Sequence, residues 1–253
     1  MILVPMKTLL ATRIRALTTL ILVSSLSLLW ISCGSPKEDA GVDAGNSDAV
    51  SLFDGSDLSK YRIFGFPDAS MERWSAENGV LSLAARAEGS KSKVDLIITE
   101  QPVGDFEFSF EWKMSPGGNG GIFYMVKDDP KYLKPWHTGL EMQLLDNAGH
   151  EEGKIKTHRS GDLYDLIASN KDTTLPAGEW NHSKIVRRGN EVEQWMNGNL
   201  AVSFTIGSEE WNKLIIKSKY AEWPEYGKID QGHILLQDHG DQISFRNLML
   251  KEL

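Results

Sequence analysis

The sequence predicts an all-β fold, a sandwich of two antiparallel sheets with one short helix, and three observations carry that prediction. From residue 50 onward apolar residues recur mostly with period two, clusters of Gly, Asn, Asp and Pro separate the runs, and a single stretch carries helix-capping chemistry. The runs at 79–85, 95–99, 106–114, 121–126, 139–145, 182–188, 191–196, 200–206, 233–238 and 242–253 each read as a strand. The clearest is FEFSFEWKM at 106–114, where Phe106, Phe108, Phe110, Trp112 and Met114 share one face and Glu107, Ser109, Glu111 and Lys113 the other. Such a strand has one face in a core and one in water. Asn197-Gly198 is the dipeptide best suited to a primed two-residue turn, so a hairpin is expected there. Ser208 is placed to cap the helix, with Glu209 and Glu210 in its first turn and Lys217 and Lys219 at its end, each charge suited to the helix dipole.

The N-terminal residues read as an address. Lys7, Arg13 and Arg15 precede an apolar run from Ala16 to Ile31, a pattern expected of an export signal over residues 1–32, with an uncleaved anchor as the alternative. Cys33, the sole cysteine of the 253-residue chain, stands where that run ends and looks like the lipidation site of a lipobox, although Trp30 occupies a position where Leu is usual. The protein is therefore expected to be exported and held in a bacterial envelope by a lipid on Cys33, with residues 33–50 as a polar tether and residues 51–253 as one domain. A lone cysteine allows no disulfide within the chain, so the domain must be held by burial. The formal charge of −8 becomes −11 once three basic residues leave with the signal, which argues against nucleic acid as a partner. The lipid is then the expected membrane contact.

Polar chemistry gathers on particular strand faces. In GLEMQLLD at 139–146, Glu141 and Gln143 fall on the face opposite Leu140, Met142 and Leu144, and Asp146 closes the strand. In GHILLQDHG at 232–240, Gln237 and His239 share a face. Trp180, Trp195 and Arg246 stand in similar strand positions. Amides, carboxylates and guanidinium groups match pairs of hydroxyls, and aromatic rings stack on the apolar faces of pyranoses, so a sugar site is the first expectation. The loop from Asn147 to Tyr164 carries His150, Glu151, Glu152, His158, Arg159, Asp162 and Tyr164, more titratable chemistry than a connecting loop requires. The GGNGG run at 117–121 lacks the Lys-Ser/Thr ending of a phosphate loop, the histidines form no HExxH pair, and no Gly-x-Ser-x-Gly elbow occurs. No cofactor is specified; a divalent cation held by Glu141, Asp146 and loop carboxylates is left open.

The motifs LFDGSDLSKY (52–61), WSAENGVL (74–81), DFEFSFEWKM with GNGGIF (105–123), TGLEMQLLDN (138–147), THRSGDLYDL (157–166), VEQWMNG (192–198) and GHILLQDHGDQISFRNLMLKEL (232–253) together resemble the 3-keto-disaccharide hydrolase family. The resemblance spans residues 51–253 and implies a concanavalin-A-like jelly roll acting on glycosides already oxidised at C3. It also implies that a base removes the C2 proton, acidified by the ketone, and that the C1 aglycone leaves by elimination, with or without later addition of water. Ordinary glycosidases instead use two carboxylates and an oxocarbenium-like transition state. Carried onto this chain, the resemblance implies His158 or His239 as the base, Glu141 or Asp146 as the group that orients it or holds a cation, and Tyr164 as the acid. Gln143, Trp136, His137, Trp195, Gln237 and Arg246 are the expected substrate contacts. Relatives often carry a serine where this chain has Gly120, an Arg near Met125, and a histidine where it has Gln194. A carbohydrate-binding lipoprotein on the same sandwich is the alternative, since a fold does not fix a function.

Overall fold

The computed structural model describes residues 48–253. The expected export signal, Cys33 and most of the tether lie outside the described residues. Among the described residues thirteen strands run in the order β1 (Val50–Ser51), β2 (Arg62–Ile63), β3 (Trp74–Glu77), β4 (Val80–Leu83), β5 (Leu96–Ile97), β6 (Phe106–Met114) and β7 (Asn119–Val126). They continue with β8 (Leu140–Leu145), β9 (Asn181–Arg188), β10 (Glu191–Met196), β11 (Asn199–Thr205), β12 (His233–Leu236) and β13 (Ile243–Glu252), and one α-helix, α1 (Glu209–Lys217), lies between β11 and β12. One sheet has eight strands in the order β11-β10-β9-β6-β13-β4-β3, with β1 on β13, and the other has five in the order β2-β5-β12-β7-β8. Every pairing is antiparallel. The protein is a two-sheet antiparallel sandwich, as the alternation predicts, of the jelly-roll form that the family resemblance implies.

The eight-stranded sheet follows the period-two rule closely. Along β6 the five apolar residues are buried and the four polar ones half-buried. The inward indole of Trp112 donates to Ser183 Oγ at 2.9 Å, which satisfies its one polar atom inside the core. The β10–β11 hairpin turns through Asn197 and Gly198 at φ 47° and 76°, both in the left-handed region that a primed turn needs. Ser208 caps α1 by accepting from the Trp211 amide at 3.1 Å.

The five-stranded sheet departs from the expectation. β7, β8 and β12 are buried at every position, so both of their faces are covered. Ile122, Tyr124, Leu140, Met142, Leu144, Ile234 and Leu236 face the sandwich core. On the opposite face Phe64, Ile97, Phe123, Val126 and Leu235 form a second, small apolar cluster against Trp136. That face also carries the polar residues of the site. Three short strands, β1 to β3, carry too few residues to show a period, and Val50, placed in the tether by composition, pairs with Leu250. The strand expected at 233–238 ends at Leu236, after a register shift between His233 and Leu235.

Candidate active site

The outer face of the five-stranded sheet holds a cavity of about 240 Å³. Strands β7 and β8 supply Asn119, Glu141 and Gln143 to its floor, and the segment after β12 supplies Gln237 and His239. Gly121 lies beneath them: a methyl there would stand 2.8 Å from Glu141 Oε1 and 3.1 Å from Gln237 Oε1. Only a residue without a side chain lets these two groups lie flat on the sheet. Trp136, Tyr164, Lys219, Tyr220 and Lys93 form the remaining walls.

The long loop reaches the pocket because it pairs with the edge of β8. Gly161 N donates to Gln143 O at 2.9 Å, Gln143 N to Asp162 O at 3.1 Å, and Tyr164 N to Glu141 O at 3.0 Å. Buried Asp162 fixes the bend by accepting from Arg159 N at 2.7 Å and Ser169 N at 2.6 Å. Behind the other wall, fully buried Asp238 accepts from Arg73, from Arg86 Nη2 at 3.1 Å and from Val94 N at 2.9 Å. Asp238 N in turn donates to Asp95 Oδ1 at 2.8 Å, so the segments bearing Lys93 and His239 are tied to each other.

Burial sets the charges of the site. Glu141 is 6% exposed, and desolvation pushes its carboxyl up to about 8 against the opposing field of Lys219 and the hydrogen bond from Gln237 Nε2 to Oε1 at 2.8 Å. Desolvation by the surrounding protein, with Lys93 next, lowers the pKa of His239, which sits at the exposed rim. Desolvation and then Glu152 raise the Tyr164 hydroxyl well above the usual phenol range. At neutral pH the pocket therefore presents a protonated carboxyl, a neutral imidazole and a neutral phenol. Three of its buried amide atoms, Asn119 Nδ2, Gln143 Oε1 and Gln237 Oε1, have no hydrogen-bond partner among the described residues. Leaving such atoms unpaired costs about 1–3 kcal/mol each, which is recovered when a ligand supplies hydroxyls.

Residues 48–251 match the family model of the 3-keto-alpha-glucoside-1,2-lyase-like domain. The chain belongs to that family. A relative from Bacteroides thetaiotaomicron named 3-keto-disaccharide hydrolase is 31% identical over 227 residues, which span 81% of this chain and 78% of the relative. A Parabacteroides distasonis crystal structure, provisionally named a glycosyl hydrolase, superposes with a TM-score of 0.73 at 30% identity, covering 81% of this chain and 94% of the other. The catalytic domain of an endo-1,3-beta-glucanase (laminarinase) from Thermotoga petrophila shares the fold alone, with a TM-score of 0.51 at 14% identity over 81% of this chain and 96% of that one.

In this family member six of the expected site residues meet in one pocket: Glu141, Gln143, Tyr164, Gln237, His239 and Trp136. The expected grouping is corrected for the others. Trp195 and Arg246 lie on the solvent face of the eight-stranded sheet, in the other layer, where Trp195 bonds Glu193 at 2.9 Å and Arg246 bonds Glu111 at 2.6 Å. Asp146 lines a separate, more open hollow and accepts from the amides of Gly117 and Gly149. Glu141 and Asp146 thus do not form a pair for one cation, and among the described residues no group of three or more His, Cys, Asp or Glu is placed to hold a metal. His158 lies behind Tyr164, with ring centroids 4.3 Å apart and planes tilted by 35°, and His137 stacks on Trp223 at 3.7 Å. Neither is among the residues that wall the cavity.

The departures from the family pattern also fall away from the pocket. Gln194 is fully buried inside the sandwich, where its Nε2 donates to Tyr124 Oη at 3.2 Å. A side chain at Gly120 would meet Ile243 Cδ1 at 3.2 Å, on the core side of β7. Met125 is a buried core residue. Sequence reasoning missed Lys93, Asn119 and Tyr220, and it read Lys219 only as a helix-end charge. Asn119 stood in the glycine-rich run, between glycines too small to fill a strand face, and that was its one available signal.

Proposed function

We propose that the protein cleaves 3-keto-glycosides by removing the C2 proton and expelling the C1 oxygen. The observation that carries this reading is the opposite displacement of two titratable groups in one pocket: Glu141 is held protonated and His239 neutral. Environments that push two pKa values apart in this way identify an acid and a base. His239 takes the C2 proton, and the C–H electron pair passes toward the C3 ketone. That pair then forms the C1–C2 double bond as the C1–O bond breaks, and Glu141 protonates the departing oxygen. Glu141 Oε1 already accepts from Gln237, so Oε2 is the oxygen left to carry the proton. Asn119, Gln143 and Gln237 hold sugar hydroxyls, and Trp136 offers a ring for stacking. Water added across the new double bond gives net hydrolysis, and release before that step gives a lyase. The names borne by the family and by the Bacteroides relative support this substrate class.

The test incubates the domain in deuterated water with a 3-keto-glucoside and the matching unoxidised glucoside. The expected result is aglycone release from the keto sugar alone, with deuterium at C2 of any 3-keto-glucose formed. Saturable binding without release would place the protein with sugar-binding modules instead. Export and lipid attachment at Cys33 belong to the same proposal. Labelling with a lipid precursor should mark the full chain and not Cys33→Ala.

A further inference from the structure

We infer that Lys219 is the cation that receives the negative charge developing on the C3 oxygen, aimed by a ring of groups made from Asp165, His158, Glu152 and Tyr164. The inference rests on the elimination chemistry proposed above. When the C2–H electron pair moves into the C2–C3 bond, the carbonyl pair moves onto O3 and creates an enolate. When the C1–O bond breaks, that charge flows back as the C3 carbonyl reforms and the C1–C2 double bond appears. A charge that exists only between these events is best met by a preorganised positive group in the same pocket.

Two lysines wall the cavity. Lys93 lies at its rim, with Nζ 5.7 Å over the ring of Trp136, and among the described residues it has no carboxylate within ion-pair distance. Lys219 lies 4.5 Å over Tyr164 and 5.2 Å over Tyr220, two other pocket walls. Of the charges acting on Glu141, its field is the strongest. The backbone that carries it is fixed on both sides, because Ser218 ends α1 and its Oγ accepts from Tyr220 N at 3.1 Å.

The ammonium is also held from behind. Its Nζ lies 3.3 Å from Asp165 Oδ2, and Asp165 Oδ1 lies 3.2 Å from His158 Nε2. His158 Nδ1 is 3.2 Å from Glu152 Oε2, which accepts from the Tyr164 hydroxyl at 3.4 Å. The ring closes where Lys219 covers the face of Tyr164. Asp165 holds its place at φ 65°, a left-handed conformation that strains a residue with a side chain and is kept where surrounding contacts over-determine it. Its amide is anchored to Thr157 O at 2.8 Å. Both nitrogens of His158 face carboxylates, so this histidine is a positioning residue that orients Asp165 and leaves proton abstraction to His239.

The experiment compares wild type, Lys219→Met, Lys219→Arg and Asp165→Asn on a 3-keto-glucoside, following kcat, KM and C2–H exchange into deuterated water. Removal of one preorganised electrostatic group is worth about 100- to 1000-fold in kcat, and that loss is expected for Lys219→Met with KM changed less than about threefold. Lys219→Arg should recover part of the loss. Asp165→Asn should lose about tenfold in kcat through misaiming. Exchange at C2 must fall in parallel with aglycone release, because the enolate is common to both. Since Lys219 is half-exposed, an unchanged melting temperature separates catalysis from folding. A loss in KM alone, or a kcat within threefold of wild type in Lys219→Met, overturns the inference while leaving the elimination reading intact. Failure of wild type to release aglycone overturns both.

Discussion

Replacing Glu141 by Gln should stabilise the domain at neutral pH and leave it unchanged in mild acid. Burial raises the carboxyl from its ordinary 4.5 to about 8, so between those values the folded chain holds a proton that the unfolded chain releases. Folding then becomes less favourable by about 1.4 kcal/mol for each unit of pH. The sign follows from the direction of the displacement: the full contribution of the group is present below 4.5 and is lost as pH rises toward 8. At pH 7 the loss is on the order of 3 kcal/mol. Gln has the same shape, can still accept from Gln237 Nε2 through its oxygen, and has no proton to lose. The difference in unfolding free energy between variant and wild type should therefore grow from near zero at pH 4 to about 3 kcal/mol at pH 7. Urea unfolding followed by tryptophan fluorescence across that range measures it, and taking the difference removes the other titrating groups. A difference that stays flat with pH would mean that Glu141 is ionised in the folded state at neutrality, and its role as proton donor would fall. A gain in stability with a loss of turnover is the expected mark of a group kept for chemistry at the expense of the fold.

For wild type, kcat/KM on a 3-keto-glucoside should be bell-shaped, with an acid limb set by His239 below 6.5 and a basic limb set by Glu141 near pH 8; a profile still rising at pH 9 would exclude this assignment. Gly121→Ala pushes a methyl against Glu141 Oε1 at 2.8 Å and should lower kcat by about 10- to 100-fold, and a change under twofold would show that the carboxyl has room to move. Arg73→Ala removes a partner from fully buried Asp238 and should cost about 3 kcal/mol in denaturant unfolding, toward the low end for a broken buried pair because Arg86 remains. Trp195→Ala and Arg246→Ala, on the far sheet, should leave kcat/KM within about twofold, and a larger loss would reopen the sugar contacts expected from the sequence.

Periodicity located the elements well where a strand has one wet face. Residues 106–114 and 191–196 are strands over those bounds, and Ser208 with its acidic first turn marked α1. Alternation also placed Glu141 beside Gln143 and Gln237 near His239. It assigns a side chain to a face of its own strand and says nothing about which layer that strand joins, so Trp195 and Arg246 were grouped with residues of the other sheet. It also cannot show that the Glu141 face is buried, since the walls that bury it come from distant chain segments: Trp136 before β8, Tyr164 in the loop, and Tyr220 after α1. Lys219 shows the same limit. As a helix-end cation it needed no further explanation, and its place over Tyr164 exists only after α1 has packed.

The strand order carries a kinetic consequence. The last strand, β13, lies between β6 and β4, and Phe106 pairs with Glu252. The sheet that supports the sandwich therefore cannot close until residues 243–252 have been made. The pocket floor likewise joins residues 121, 141 and 237. Contacts so distant along the chain give a high contact order, so folding should be slow. A ribosome that stops before β13 would leave a chain with an unfinished central ladder and exposed strand edges, which is a substrate for proteases and a seed for aggregation.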